Sequence, residues 1–195
     1  QACAIAAEAY ARIHNKIGAL CVTTGPGGTN AITGVVGGWL DSIPMLILSG
    51  QVRYDTTARW SGVGIRAMGD QEFDIVKSID CMTKYSEMVI DPLRIRYCLE
   101  KAIYLAYSGR PGPTWLDIPL DVQGAYVDTE QLVGFDAADY EAGGTGWALH
   151  TVGLDHTSGA AVFAGATEEK EKKAVLAGVH GTEGTSVVEP PHAIA

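Results

Sequence analysis

The chain has 195 residues, 47% of them hydrophobic and 19% charged, an ordinary globular composition. A formal charge of −9 argues against nucleic acid or an anionic membrane surface as partner. No apolar run reaches the roughly 18–20 residues that span a bilayer, and no secretory signal pattern opens the chain, so a cytoplasmic location is expected.

Ala2 to Asn15 is Ala-rich, with Ile5, Ala9 and Ile13 at helical spacing, which predicts a helix. Ala19–Thr23 is a short apolar run ended by Gly-Pro-Gly-Gly, read as a buried strand meeting a turn. A helix is expected from Asn30 to Leu40, with Thr29 or Asn30 as its N-cap. Pro44–Ser49 is a second apolar strand, closed by Gly50. Residues 51–70 carry little periodicity and read as a long surface loop. Gln71–Ser78 reads as a short helix and Thr83–Ile90 as a third strand. Pro92–Ser108 is an amphipathic helix, capped by Asp91 and stopped by Gly109. Pro113–Ile118 is the last strand. Near-continuous apolar strands alternating with helices predict an α/β fold with a doubly wound parallel sheet.

The charge is unevenly spread. Residues 1–123 hold 11 Lys+Arg against 12 Asp+Glu, whereas residues 124–195 hold 3 against 11. A boundary is therefore expected near Gly124, with residues 1–123 as the domain and 124–195 as a linker and Gly-rich acidic tail. The tail is expected to be poorly structured, with Gly-rich stretches at Gly143–Gly146 and Gly178–Gly184 and a mixed-charge stretch at Glu168–Lys173. Its histidines (His150, His156, His180, His192) lack metal-ligand spacing. Cys3, Cys21, Cys81 and Cys98 form no C-x-x-C pair and read as buried free thiols.

Three segments draw attention as candidate sites. Thr24-Gly25-Pro26-Gly27-Gly28-Thr29-Asn30 lies between a strand and a helix, at the sheet edge where open α/β folds place ligands. Its glycines admit close backbone approach, although it is neither G-x-G-x-x-G nor a P-loop and also fits a plain tight turn. Ser108-Gly109-Arg110-Pro111-Gly112-Pro113 reads as a helix stop and strand entry, with Arg110 as a surface or capping residue. Gly69-Asp70-Gln71-Glu72 is a polar cluster that capping alone would explain.

In collinear order, TTGPGGTNAITGVVGGWLDSIPMLILSGQV, GDQEFDIV, CMTKYSEMV and SGRPGPTWLDIPLDVQ resemble the N-terminal, pyrimidine-binding domain of thiamin-diphosphate enzymes. Among these, the acetolactate synthase large subunits and synthase-like relatives are the nearest in pattern. The resemblance runs from Gln1 to about Gln123. It implies a domain of a 2-keto acid decarboxylase and carboligase that works as a homodimer or tetramer. Thiamin diphosphate would sit between subunits, with Mg²⁺ tying its diphosphate to a different domain.

By the same resemblance, Thr24, Gly25, Pro26, Gly27 and Asn30 lie near the aminopyrimidine, and Gln71 projects towards cofactor and substrate. Arg110 matches an arginine that contacts FAD in flavin-containing members, whereas Leu120, where a lysine is common, points to synthase-like relatives and leaves FAD open. The family's catalytic glutamate belongs to an H-E-Q-x-A pattern. Gln1–Ala4 and Glu8–Arg12 match the family residues on the C-terminal side of that glutamate, which is therefore expected just before Gln1, together with the first strand. The opening Gln1 in place of Met agrees with a longer parent. Glu8 lies two turns further on and reads as structural. No Gly-Asp-Gly followed by Asn-Asn occurs, so no metal site is expected here and the 195 residues alone are expected to be inactive. A non-catalytic dimerisation or scaffold domain retaining the fold is the alternative.

Overall fold

A computed structural model describes residues 1–144 and 146–148, so expectations for the rest of the tail lie outside the described residues. Helix α1 (Ala2–His14) buries Ala4, Ala7 and Ala11, a narrow small-residue stripe at helical spacing. It stops at Asn15, whose left-handed backbone (φ 51°, ψ 45°) suits Asn better than most residues. Strand β1 (Gly18–Val22) leads to α2 (Pro26–Leu40), which lies against α1. A Cβ at Gly34 would stand 2.7 Å from the Ala4 Cβ, so only glycine lets these two helices approach this closely.

Then follow β2 (Met45–Gln51), α3 (Ala58–Ser61), α4 (Ile75–Ile79), β3 (Tyr85–Met88), α5 (Ile95–Tyr107), β4 (Pro113–Pro119) and α6 (Leu120–Gln123). The four strands form one parallel sheet in the order β1-β2-β4-β3. Side chains alternate across it. Met45, Ile47 and Trp115 join α1, α2 and α4 in one core, while Leu46 and Leu116 join Tyr97, Cys98 and Ala102 of α5 in another. The doubly wound α/β fold read from the apolar strands is the fold observed.

Beyond α6, β5 (Gly134–Phe135), α7 (Ala137–Glu141) and β6 (Trp147–Ala148) complete the described residues, with β5 and β6 pairing antiparallel. Phe135 packs edge-on to Tyr97 at 5.8 Å between ring centroids. Its N–H donates to the buried Glu100 carboxylate (2.7 Å), which Arg96 also contacts at 3.0 Å. No helix among the described residues is long and apolar enough to cross a membrane.

Four local expectations need correction. Helix α2 starts at Pro26, not Asn30, because proline fits the first helical position and Gly25 supplies the break before it. The stretch expected as helix from Gln71 becomes helical only at Ile75, since Gln71 itself has φ 57°. The 51–70 loop contains α3, capped by Thr57, whose hydroxyl accepts from the Trp60 N–H. Of the four free thiols only Cys98 is buried; Cys3, Cys21 and Cys81 are exposed on outward faces.

Replacing Gly34 with Val should overpack the α1–α2 contact and lower unfolding free energy by roughly 1–3 kcal/mol in urea titration. The same change at the exposed Gly64, where a Cβ would meet nothing within 4 Å, should cost far less.

Candidate functional site

All four parallel strands deliver their carboxyl ends to one edge, and there the chain makes two turns that touch. The first follows β1. Thr24 leads into Gly25, whose backbone (φ 55°, ψ −109°) is open to glycine and strained for other residues. Gly25 then serves as N-cap of α2. Thr29 and Asn30 do not cap it; their side chains donate back to the Pro26 carbonyl at 3.3 and 2.8 Å. The second turn carries Gln71 in the left-handed region, uncommon for a residue with a long side chain. A Cβ on Gly25 would lie 2.2 Å from the Gln71 carbonyl oxygen, so the two backbones are in direct apposition.

Polar side chains beneath these turns form a connected network. The β2–β4 register sets Ser49 beside Asp117, with Trp115 two residues earlier on the same face. The Trp115 indole N–H donates to Ser49 Oγ (2.8 Å), and the Ser49 hydroxyl donates to Asp117 Oδ1 (2.6 Å). Gln51 Nε2 donates to Asp117 Oδ2 (3.0 Å) and to the Phe73 carbonyl (2.9 Å). Gln51 Oε1 accepts from the Thr24 hydroxyl (2.7 Å) and the Val52 N–H (3.0 Å). Ser49, Gln51 and Asp117 are all buried.

Burial pushes the Asp117 carboxyl up to about 6; the Ser49 and Gln51 bonds pull it back down, nearby Asp74 raises it, and Arg59 lowers it. Asp74 is itself engaged by Arg59 at 2.9 Å and by Lys77 at 2.9 Å. Glu72 organises the loop above. It accepts from the Ala58 N–H at 2.7 Å, and from the Met68 and Gly69 N–H groups at 2.6 and 3.2 Å.

Thr24, Gly25, Pro26, Gly27 and Gln71 are thus gathered at the carboxyl edge, with Asn30 one turn into α2. Arg110 is elsewhere. It precedes β4 at the opposite, amino-terminal edge, where Nε donates to Ser42 Oγ (2.6 Å) and an NH₂ group to the Leu40 carbonyl (3.2 Å), closing the end of α2. Glu8 pairs with Arg12 one turn along α1. Among the described residues no cluster of three or more His, Cys, Asp or Glu is placed to hold a metal. Sequence reading passed over Ser49, Gln51 and Asp117. The available signal was a polar residue inside an otherwise apolar parallel strand, which burial on both faces makes conspicuous.

Residues 1–78 match the family described as "Thiamine pyrophosphate enzyme, N-terminal TPP binding domain". That stretch is thus similar to the N-terminal domain of thiamin-diphosphate enzymes, and the relatives narrow the likeness. The chain is 41% identical over 128 residues to an acetolactate synthase of Arthrospira platensis, covering 66% of this chain and 21% of that protein. To the acetolactate synthase large subunit of Lactococcus lactis subsp. lactis (strain IL1403) it is 40% identical over 116 residues, covering 60% and 19%. For the isozyme 3 large subunit of Escherichia coli (strain K12) the figures are 42% over 122 residues, 63% and 20%. The domain is acetolactate-synthase-like, and the chain spans about a fifth of the length of these curated relatives.

A raised carboxyl pKa stabilises the fold most when protonated. The Asp117 contribution is fully present below the unfolded-state value near 4 and is lost as pH rises through about 6, by roughly 3 kcal/mol at most. Unfolding free energy measured from pH 4 to 7 should therefore decline more in the native chain than in Asp117→Asn, which has no charge to bury.

Proposed function

We propose that this domain forms the aminopyrimidine-facing side of a thiamin-diphosphate site in an acetolactate-synthase-like enzyme that decarboxylates a 2-keto acid and joins the remaining carbons to a second carbonyl compound. The observation that carries this reading is the apposition of two left-handed turns, Gly25 and Gln71, at the carboxyl edge. Backbone strain at a non-glycine residue beside a ligand-binding edge is a mark of a functional position. The donor set there is neutral: the Gln71 amide and backbone groups. Such groups suit a heteroaromatic ring that both donates and accepts hydrogen bonds. They do not suit a diphosphate or Mg²⁺, so both belong to another domain, and the working unit is a homodimer or tetramer.

Bound between subunits, thiamin diphosphate would supply the carbon nucleophile and electron sink that amino-acid side chains lack. The tasks of this chain are binding and orientation. Gly25 keeps Cβ bulk away from the Gln71 backbone, and the exposed Gln71 amide offers a donor and an acceptor to ring or substrate. Contact of Arg110 with FAD would require a second surface at the other sheet edge. The location read from the sequence is cytoplasmic.

Calorimetry on the longer parent, with thiamin diphosphate and Mg²⁺, should show binding; its absence overturns the reading. Gln71→Gly is the informative variant, because glycine accepts the left-handed backbone and the fold should be unchanged or slightly firmer. Cofactor or substrate affinity in that parent should nevertheless fall about tenfold, from one lost polar contact. The 195 residues alone should turn over no 2-keto acid.

One observation favours a scaffold or dimerisation role instead. Trp60, Val63, Ile65 and Met68 are exposed by 57%, 63%, 44% and 47% along one connection. Sedimentation that finds the chain self-associating, alongside a parent that binds no cofactor, would support that role; a stable monomer would remove it.

A further inference from the structure

We propose that Gln51, held by Asp117, is the positioning residue that keeps the Thr24–Gly25 turn and the Gln71–Phe73 turn against each other. The inference rests on the functional reading above only in saying what these turns face.

Hydrogen-bond capacity makes the first argument. A glutamine amide has two N–H groups and an oxygen with two lone pairs, and Gln51 uses all four. Its orientation is fixed by chemistry. The Val52 N–H can only donate, so Oε1 faces it; the Phe73 carbonyl can only accept, so Nε2 faces that. One side chain therefore reaches the first turn through Thr24 and the second through Phe73. A Glu in its place would set a carboxylate against the Phe73 carbonyl and Asp117, and a Leu would leave Asp117 with a single donor.

Asp117 has a narrow role in this arrangement. Ser49 is already committed, accepting from Trp115 and donating to Oδ1. The second carboxylate oxygen is what holds Gln51 in place. A buried carboxylate is a poor way to gain stability, since well-packed apolar residues often do as well or better. Its value here is directional: it orients an amide that also bonds Thr24 of one turn and Phe73 of the other, with its last acceptor position taken by the adjacent Val52 N–H. Gln71 sits in an unfavourable backbone region, and such a conformation persists only where its surroundings fix it. The Gln51–Phe73 bond fixes it from two residues ahead, and Gly25 from the opposite side.

Amide hydrogen exchange with mass spectrometry on the 195-residue chain tests this without any cofactor. Leu46→Ala, on the other face of β2, serves as the control for general weakening of the core. Gln51→Leu should raise exchange over residues 24–28 and 71–74 about tenfold beyond the control, the scale of one or two lost buried hydrogen bonds. Should Gln51→Leu not fold, Thr24→Val decides, because it deletes only the bond to Oε1 and should raise exchange at 24–28 alone. In the longer parent, Thr24→Val should raise the KM for thiamin diphosphate about threefold, a larger effect than on kcat, while the unfolding midpoint stays put. A uniform rise across the sheet, or none at the two turns, overturns the proposal. A parent that binds no thiamin diphosphate, with exchange still rising at both turns, removes the assigned function and leaves the positioning role standing.

Discussion

A charge taken out of water between two strands must be surrounded by donors, and that requirement organises this molecule's carboxyl edge. Asp117 meets it with Ser49 from the neighbouring strand and Gln51 from that strand's end. The parallel register makes the meeting possible, since it places Ser49 beside Asp117 and aims Gln51 past Pro119 towards the turns. Trp115, fully buried on the same face, fills the space below and satisfies its own N–H on Ser49. Core packing and site geometry are therefore joined through one hydroxyl.

The turns above inherit their shape from this base. Gly25 and Gln71 come close enough that a Cβ on Gly25 would stand 2.2 Å from the Gln71 carbonyl oxygen. Glu72, one residue further, ties Ala58, Met68 and Gly69 through their N–H groups and so folds the apolar connection over the same edge. What projects outward is the exposed Gln71 amide, a donor and an acceptor on one side chain.

Much of the fold was legible because parallel strands buried on both faces write themselves as apolar runs: Leu46–Leu48 and Trp115–Leu116 could hardly be anything else. Helix α5 was legible through Gly109 just past its end and through Asp91 and Pro92, although these two open a 3₁₀ turn (Pro92–Arg94) and the α-helix itself begins only at Ile95. The start of α2 was misread because Thr29 and Asn30 are good capping residues in isolation, yet Gly25-Pro26 begins the helix earlier and turns them into back-bonding residues. Exposure of Cys3, Cys21 and Cys81 was missed because frequency of burial says nothing about which helix or strand face a residue occupies. The Gly25–Asn30 and Gln71 segments could be singled out from pattern, but their contact could not, since it depends on a left-handed Gln71 that no local preference favours. Gln51 and Asp117 were hidden because their meaning lies in pairing across 66 residues of sequence.

The chain from Trp115 through Ser49 to Asp117 also makes the protein its own spectroscopic probe. An indole proton that donates to a hydroxyl, which in turn donates to a carboxylate, senses whether that carboxylate carries charge. The Trp115 indole resonance in a nitrogen–proton correlation spectrum should thus shift with the state of the network beneath the turns. Disturbance at the carboxyl edge could then be followed from inside the core, with isotope enrichment in place of a chemical tag and no reaction to monitor.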